Sequence, residues 1–318
     1  MKSLILEENG LKIKNVPLSN ILGTKLINFS YASINHRDLW ITKGQYSGIK
    51  FPVVLGSDGA GICEGKEVLL NPSVNWVDDN KAQPKQYEII GLPNDGSFRE
   101  AGYFSPDLIH SKPEHLSLAE ASALPLAGLT AYRVLISRCQ LKKQDKVLVT
   151  GIGGGVALFA AQFAMAMGCE VWVSSGDNEK LHKAKQLGIS GGVNYKTEEW
   201  NKKLLAEAGN FDVVIDSAGG AQFALLASLC NPGARLGIYG GTLGKLQDLS
   251  QQVIFWKQLS IFGSTMGNHK EFAEMLDFVT LHKIIPVIDS IYPIEEFKSA
   301  FERMEKAIQF GKIVLQII

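Results

Sequence analysis

The second half of the chain alternates strand-like runs with segments of helical length. Six mostly apolar runs recur from residue 146 onward: KVLVT (146–150), EVWVSS (170–175), GGVNY (191–195), FDVVIDS (211–217), ARLGIYG (234–240) and QLSIFGS (258–264). Between them lie stretches long enough for helices, at 155–167, 178–187, 198–208 and 220–230. This alternation builds βαβ units and a parallel sheet covered on both faces. Six is the strand number of a complete dinucleotide-binding sheet, so the sequence predicts a doubly wound α/β domain.

The N-terminal and C-terminal parts show different patterns. Short strand-like pieces broken by turn residues, such as SLILEE and PVVLG, predict an irregular β-rich domain at the N-terminus. Near the C-terminus two helical periods place apolar residues on one face: Phe272, Met275, Leu276 and Val279, then Phe297, Ala300, Phe301 and Met304. Two further strand-like runs, IIPVIDSIYPI and KIVLQII, exceed the needs of the six-stranded sheet. We therefore expect 268–318 to return to the domain formed by 1–116, with 117–267 forming the dinucleotide-binding domain.

Composition excludes several classes of protein. Lysine plus arginine equal aspartate plus glutamate at 32 each, so no net field attracts nucleic acid or an anionic membrane. The sequence has no run of about 18 apolar residues, which a membrane span would need. The apolar stretch at the N-terminus is too short for a secretory signal. Cys63, Cys139, Cys169 and Cys230 are scattered, which predicts reduced, mostly buried thiols in a cytoplasmic protein.

A glycine-rich stretch, VLVTGIGGGVALFAAQ, includes the first run of the expected sheet. The spacing G-x-G-x-x-G is not met, because Val156 occupies its last position. The spacing G-x-x-G-x-x-A is met by Gly151, Gly154 and Ala157, and the last residue needs only to be small. A helix N-terminus behind such a turn presents backbone N–H groups to a pyrophosphate. We predict that the turn residues bind the phosphates of a dinucleotide, namely Gly151, Gly154, Gly155 and Val156.

The end of the second run decides which dinucleotide is expected. NAD-binding sheets carry an acidic residue there that accepts the ribose hydroxyls. This chain has Ser174, Ser175 and Gly176 instead, and Lys180 follows as a cation that can reach a 2′-phosphate. Asp177 comes slightly later and either turns back to a ribose or caps the following helix. NADPH is therefore favoured over NADH.

Several blocks together resemble a known superfamily. They are YASINHRDLWITKGQY, FPVVLGSDGAG, LPLAGLTAY, the glycine turn, KLHKAKQLGISGGVNY, FDVVIDSAGG and FGKIVL. They are similar to the medium-chain dehydrogenase/reductases, in particular to the zinc-free branch related to quinone oxidoreductases. The resemblance implies a GroES-like β-barrel catalytic domain completed by the C-terminus, a Rossmann domain, an active site between the two domains, and a homodimer. Relatives carry a longer stretch between the blocks GAG and VLL, so a shortened barrel hairpin is expected here.

The resemblance also allows a comparison with zinc-dependent relatives, residue by residue. Those relatives place a cysteine where this chain has Asn35, a histidine at Ser57 and a cysteine near Leu126. Catalytic zinc needs three nitrogen, sulfur or oxygen ligands from the protein, which these residues do not supply. The loop that holds structural zinc in those relatives corresponds to 71–91, which has no cysteine. We therefore predict no bound metal.

Without a metal, reduction of a simple ketone is difficult because nothing strong polarises the carbonyl group. A quinone or an α,β-unsaturated carbonyl is already activated and needs only hydrogen bonds to the developing enolate. The resemblance places Tyr46 in the substrate cleft, where its phenol can donate a hydrogen bond or a proton. Asn35 is the second catalytic candidate, as a residue that orients the nicotinamide ribose or the substrate, and the final proton can also come from water.

The resemblance supplies further cofactor contacts, most of them at the carboxyl ends of strands. Thr130 is placed near the nicotinamide, Tyr195 near the adenine, and Lys312 adds positive charge near a phosphate or is simply solvated. The remaining contacts follow the fourth, fifth and sixth strands, at Ser217, Gly240 and Ser264.

Two other functions compete with reduction. The first is a protein that binds NADPH for a structural or regulatory purpose with little turnover, which keeps the glycine turn but has no need of Asn35 or Tyr46. The second is an S-adenosylmethionine-dependent methyltransferase, which needs an acidic residue at the end of the second strand and has no use for a GroES-like domain. His36 is a candidate ligand or base, although its neighbours Arg37 and Asp38 favour a capping and ion-pair cluster at a helix start.

Overall fold

The computed structural model describes residues 1–77, 79 and 81–318. Its strands are β1 (Lys2–Glu7), β2 (Gly10–Asn15), β3 (Lys25–Ser33), β4 (Val53–Val54), β5 (Asp58–Cys63), β6 (Lys66–Leu70), β7 (Ser73–Val74), β8 (Glu88–Ile89), β9 (Ala101–Phe104), β10 (Ile109–Ser111), β11 (Lys146–Val149), β12 (Glu170–Ser175), β13 (Gly191–Asn194), β14 (Phe211–Asp216), β15 (Cys230–Ile238), β16 (Ser260–Gly263), β17 (Ile288–Pro293) and β18 (Lys312–Gln316).

The helices follow the same chain order: α1 (His36–Thr42), α2 (Leu118–Ala123), α3 (Pro125–Tyr132), α4 (Gly155–Ala166), α5 (Asn178–Gln186), α6 (Trp200–Ala208), α7 (Gln222–Ser228), α8 (Gln251–Lys257), α9 (His269–Leu281) and α10 (Phe297–Glu305). The chain divides into two compact units. The first is Met1–Leu129 with Met266–Ile318, and the second is Thr130–Thr265.

The second unit contains a six-stranded parallel sheet in the order β13-β12-β11-β14-β15-β16. This is the strand order of a doubly wound dinucleotide-binding fold, as the alternating runs predicted. Each of the six runs contributes a strand, and α4, α5, α6 and α7 lie in the stretches predicted as helices. The central strands β11 and β14 are apolar and buried because helices cover both faces of such a sheet.

The first unit is built mostly from antiparallel strand pairs, with β17 and β18 pairing in parallel, and the C-terminal strand completes its large sheet. A large sheet runs β10-β6-β5-β3-β18-β17, with β9 also pairing with β3. Strand β18 pairs antiparallel with β3, with Val314 opposite Ser33. The apolar faces of α9 and α10 are buried as their period predicted. The fold is thus α/β, with a GroES-like N-terminal domain and a Rossmann domain.

The shortened hairpin joins β5 to β6. Cys63 pairs with Lys66, so only Glu64 and Gly65 form the turn. Both have positive φ, at 51° and 76°, which is the geometry of the tight turns that suit twisted hairpins. The chain between the GAG and VLL blocks is therefore long enough for a complete hairpin.

The unit boundaries differ from those expected from the sequence. Helix α2 packs on β3 and β5, so residues beyond 116 belong to the first unit as far as Leu129. At the other end the first unit resumes at Met266, two residues before the expected 268. The change from strand-rich to alternating sequence did not locate this boundary, because α2 is helical yet packs on the β-rich unit.

Candidate functional site

The turn between β11 and α4 is open on the side where a phosphate would lie. Gly151 has a φ of 66°, a conformation that favours glycine. A Cβ placed on Gly151 or Gly154 would meet nothing within 4 Å. Gly154 is the N-cap of α4, and it offers no side chain to accept hydrogen bonds from the first turn. Because that turn also has no acidic residue, its N–H groups are suited to an anion.

A buried carboxylate fixes this turn to the neighbouring strand. The Thr150 hydroxyl donates to Asp216 Oδ1 at 2.5 Å, and the Gly219 N–H donates to Asp216 Oδ2 at 2.8 Å. Both Thr150 and Asp216 are buried. Asp216 therefore holds together the carboxyl ends of β11 and β14, where ligands of open α/β sheets bind. Asp216 was not among the residues predicted from the sequence, although an acid closing the apolar run VVID was a visible signal.

At the end of β12 the serines are buried and the nearby acid is engaged. Ser174 and Ser175 are nearly inaccessible, and the Ser175 hydroxyl accepts from the Asp177 N–H at 3.1 Å. Asp177 is the N-cap of α5, where its Oδ1 accepts from the Glu179 N–H at 2.9 Å. Of the two roles considered for Asp177, the structure has the helix cap. Lys180 lies in the first turn of α5 and is half-buried.

The ends of β14 and β15 pack closely. A Cβ on Gly240 would lie 2.9 Å from the Ser217 carbonyl oxygen, so glycine is needed there for close approach. The Tyr239 N–H donates to the Asp216 carbonyl at 3.1 Å. Burial raises the pKa of Tyr239 to about 12, so the phenol is neutral at physiological pH. Tyr239 was not predicted from the sequence because it belongs to no motif of its own.

The next strand end adds an orphaned hydroxyl at the same edge of the sheet. The Ser264 N–H donates to the Ile238 carbonyl at 2.8 Å, which fixes the end of β16 beside β15. Its Oγ is buried and has no hydrogen-bond partner among the described residues. A buried hydroxyl without a partner is costly, so this hydroxyl is suited to bind a polar group of a ligand.

In the first unit a buried ion pair occupies the region of Asn35. Lys312 Nζ lies 3.1 Å from Asp58 Oδ2, and both side chains are almost fully buried, at 4% and 0% exposure. The ammonium also donates to the Ile34 carbonyl at 3.1 Å and to Asn35 Oδ1 at 2.5 Å. Asn35 Nδ2 in turn donates to Asp58 Oδ2 at 2.8 Å. The carboxylate and the ammonium are therefore both paired and hydrogen-bonded, as buried charges require.

This network bears on two expectations. Lys312 was expected near a cofactor phosphate or in solvent, but its charge is buried and paired with Asp58 inside the first unit. Asn35 was expected to orient ribose or substrate, but its amide oxygen and nitrogen are engaged by Lys312 and Asp58. The structure therefore gives Asn35 a positioning role within this unit, and a direct contact with ligand stays a prediction.

The remaining two candidates are Tyr46, in the first unit, and Thr130, the first residue of the second unit. Tyr46 is partly buried against the apolar core, and the Arg37 guanidinium carbon lies 5.3 Å from its ring centroid. This cation–π contact holds the ring, while a role for the phenol stays a prediction. Thr130 lies in α3 and is buried.

The start of α1 contains a buried acid. Asp38 Oδ2 accepts from the Asn35 N–H at 2.8 Å, so the expected capping cluster is present. Its Oδ1 is buried without a partner among the described residues. Burial raises the pKa of Asp38 to about 6, although the nearby Arg37 lowers it. The folded protein thus holds this proton to a higher pH than the unfolded chain does, where the pKa is about 3.9.

This raised pKa predicts a pH dependence of stability. Asp38 stabilises the fold below about pH 4, and that contribution, roughly 3 kcal/mol, is lost as the pH rises through about 6. Asp38→Asn cannot titrate but keeps an oxygen for the Asn35 N–H. The difference in unfolding free energy between wild type and variant, measured with urea from pH 4 to 7, should therefore change across that window. A constant difference would show that Asp38 does not titrate there.

The residues at the zinc positions of zinc-dependent relatives do not supply the side chains of a zinc ligand set. Ser57 Oγ accepts from Arg37 Nη1 at 2.6 Å and donates to the Ile90 carbonyl at 2.7 Å. Leu126 has no ligating side chain, and its N–H donates to Asp58 Oδ1 at 2.8 Å. Over residues 1–77, 79 and 81–318, no three His, Cys, Asp or Glu side chains group as metal ligands. Asp78 and Asn80, in the cysteine-free stretch 71–91, lie outside the described residues.

The cysteines are likewise poorly suited to metal binding. All four are buried free thiols. Burial raises the pKa of Cys139 and Cys230 to about 12 and that of Cys169 to about 11. Because a metal binds the thiolate, these thiols do not fit a zinc ligand set.

A doubly wound sheet with an open glycine turn after its first strand defines the class of dinucleotide-binding proteins. Comparison with known proteins narrows this class. Residues 23–114 match the family described as alcohol dehydrogenase GroES-like domain, and residues 155–280 match the family described as zinc-binding dehydrogenase. The chain belongs to the medium-chain dehydrogenase/reductase superfamily of oxidoreductases, which confirms the resemblance to that superfamily found in the sequence.

Individual relatives are similar over almost their whole length. A zinc-type alcohol dehydrogenase-like protein of Leptosphaeria maculans is 36% identical over 324 residues, covering 92% of this chain and 90% of the relative. A second protein of that description, from Schizosaccharomyces pombe, is 33% identical over 317 residues, covering 93% and 91%. The crystal structure of an NAD-dependent alcohol dehydrogenase has a TM-score of 0.92 at 29% identity, with both chains fully covered. Among the described residues, no helix is long and apolar enough to cross a membrane.

Proposed function

We propose that this oxidoreductase uses NADPH, needs no zinc, and reduces a quinone or an α,β-unsaturated carbonyl. The observation that carries the proposal is the end of β12. Ser174 and Ser175 stand where an NAD-binding sheet has an acid, and the nearby Asp177 is engaged as the cap of α5. The last two residues of β12 carry no charge that would repel a 2′-phosphate, and Lys180 follows in the first turn of the helix.

The dinucleotide would be held along the carboxyl edge of the sheet in the second unit. The open turn at Gly151 and Gly154, with Gly155 and Val156 starting α4, would receive the pyrophosphate. Tyr195 follows β13, and the ends of β14, β15 and β16 supply Ser217, Gly240 and Ser264. When bound, a nicotinamide cofactor supplies the hydride for reduction. The protein's task is then to orient the nicotinamide and the acceptor and to exclude water.

The residues at the zinc positions support a mechanism without a Lewis acid. Asn35, Ser57 and Leu126 are engaged in hydrogen bonds of the first unit, and Asp58 is paired with Lys312. An acceptor that is already electron-poor is then required, and hydrogen bonds must stabilise the oxygen on which negative charge develops. We assign one such bond to the Tyr46 phenol, with Thr130 at the nicotinamide end. The final proton comes from Tyr46 or from water.

A single experiment tests this proposal. Oxidation of NADPH and NADH is followed at 340 nm with quinones, enones, aldehydes and alcohols, and the zinc content of the purified protein is measured in parallel. We expect faster NADPH oxidation with quinones or enones and no stoichiometric zinc. One zinc per chain would contradict the metal-free mechanism. Tight NADPH binding with no turnover across the whole set would favour the alternative, a structural or regulatory NADPH-binding protein.

We also propose a cytoplasmic homodimer. The four cysteines are free thiols, as suits a reducing compartment. Strand β16 is at the edge of the six-stranded sheet, and α8 precedes it with two exposed aromatic side chains, Phe255 and Trp256. Trp256 is 78% exposed and its ring lies 5.6 Å from that of Phe255. An exposed sheet edge next to an aromatic patch favours association with a second copy.

Substitution of Trp256 tests the dimer. Trp256→Glu should weaken self-association by roughly tenfold or more, because buried tryptophans commonly dominate interface energies. Leu281→Glu, on the equally exposed surface of α9 in the first unit, is the control and should leave the mass unchanged. Light scattering over a dilution series gives the dissociation constant. Equal masses for wild type and Trp256→Glu at all concentrations would rule out this surface.

A further inference from the structure

Two side chains fold over the backbone of Gly176, directly after β12. A Cβ placed on Gly176 would lie 2.8 Å from Lys196 Cε and 2.8 Å from the Tyr195 hydroxyl oxygen. Such distances are shorter than real Cβ contacts, so any larger residue at 176 would displace these two side chains. The glycine therefore gives the Lys196 side chain room to reach the end of β12. Lys196 lies just after the block KLHKAKQLGISGGVNY, which begins at Lys180 and ends at Tyr195 and is one of the blocks that resemble the superfamily.

Hydrogen bonds fix the turn that carries Lys196. The Tyr195 N–H donates to the Ser175 carbonyl at 3.0 Å, which ties the end of β13 to the end of β12. The Lys196 N–H donates to Asn194 Oδ1 at 3.0 Å, and Asn194 Nδ2 donates to Asn178 Oδ1 at 2.8 Å. Asn194 thus joins this turn to the first residue of α5. The backbone of Lys196 is held in place although its side chain is exposed.

The charge of Lys196 is not used inside the protein. Among the described residues its ammonium forms no ion pair, whereas Lys202, on the following helix, pairs with Glu199. Asp177, the acid next to Gly176, uses Oδ1 for the cap of α5. An exposed lysine side chain loses conformational entropy when it packs over a glycine instead of extending into solvent. An anion bound by the ammonium group would offset this cost, so the position of Lys196 suits an anion-binding site.

We infer that Lys196 is a specificity-determining residue, which pairs with the 2′-phosphate of NADPH and sets the preference over NADH. This inference rests on the proposed use of NADPH and adds a second cation to Lys180. A phosphate monoester carries a charge of about −1.5 to −2 near neutral pH, so one lysine does not neutralise it. The two cations are carried by different elements, Lys180 by α5 and Lys196 by the turn after β13, and both elements follow strands that end at the edge where the adenosine ribose of NADPH is expected.

The test compares nucleotide affinities of Lys196→Gln with those of wild type. Dissociation constants for NADPH and NADH are measured by fluorescence titration at low and moderate salt. We expect NADPH affinity to fall about tenfold, corresponding to 1.4 kcal/mol, with NADH affinity unchanged. The loss should shrink at higher salt, because the contact is exposed and screened. Lys185→Gln removes the same charge from the last turn of α5 and should change neither affinity.

The outcomes separate this inference from the proposed function. If wild type prefers NADPH and Lys196→Gln keeps that preference, the inference is wrong, and Lys180 with the serines accounts for recognition. If wild type prefers NADH, the proposed cofactor and the role of Lys196 both fail. A loss of affinity for both nucleotides to the same extent would show that Lys196 acts on the shared part of the molecule or on the fold, and would overturn its role in specificity.

Discussion

Replacing Gly154 by aspartate is expected to remove dinucleotide binding while leaving the fold intact. Gly154 is the N-cap of α4 with a φ of −81°, and a Cβ there meets nothing within 4 Å. Aspartate is a favoured N-cap residue and complements the helix dipole, so the unfolding free energy should stay the same or rise by up to about 1 kcal/mol. The new carboxylate would stand at the open turn, where a pyrophosphate is expected. At about 4 Å such like charges repel by about 4 kcal/mol, close to a thousandfold in affinity.

The matched control is Gly154→Asn, which adds a side chain of the same shape without charge. It should cap α4 equally well and cost much less affinity than Gly154→Asp. Fluorescence titration gives the affinities and urea denaturation gives the stabilities. If both variants lose affinity equally, bulk rather than charge is responsible. If neither loses affinity, the turn at Gly154 does not contact the phosphates, and the placement of the cofactor is wrong.

The doubly wound sheet was predictable because its signal is local and repeated. Each of the six strands is a short apolar run, and the helices between them fit the stretches left by those runs. The observed bounds of one of these strands nevertheless differ from the bounds of the predicted run. Strand β15 begins at Cys230 rather than at 234, and a register irregularity lies between Phe211 and Val213 where β14 pairs with it. Cys230 pairs with Phe211 and Arg235 pairs with Val213, so the residues NPG lie in a bulge within β15 although they look like a turn in isolation.

The buried network around Asp58 was not predictable from local sequence. Asp58 and Lys312 are 254 residues apart, and they meet only because β18 pairs with β3, which also pairs with β5. A lysine in the run GKIVL is normally expected in solvent, since lysines are rarely buried unless paired. Lys196 was missed for a related reason. Its position over Gly176 depends on parallel pairing of β12 and β13, which no spacing in the sequence encodes.

Replacing Lys312 by methionine is expected to be the most destabilising single substitution considered in this protein. Methionine fills a similar volume but leaves the Asp58 carboxylate buried without its cation. Removing one partner of a buried ion pair costs about 3 to 5 kcal/mol. Donors from Ser33, Asn35 and Leu126 still reach Asp58, so the loss should lie toward the lower end of that range. Urea denaturation at pH 7 measures it directly. The exposed pair of Lys43 with Glu305 provides the control, because Lys43→Met should cost less than about 1 kcal/mol.

The double variant Lys312→Met with Asp58→Asn shows whether the two charges act as a pair. Asparagine removes the uncompensated charge and still accepts the Leu126 N–H, so the double variant should be less destabilised than the sum of the single variants by about 1 to 3 kcal/mol. Additive losses would mean that the pair is not coupled. Nucleotide titration of folded Lys312→Met distinguishes the stabilising ion pair with Asp58 from the role suggested by family resemblance, which is to neutralise a cofactor phosphate. A lysine that neutralises a cofactor phosphate would lower NADPH affinity when removed, whereas an ammonium consumed by Asp58, Asn35 and the Ile34 carbonyl affects stability and leaves that affinity near the wild-type value.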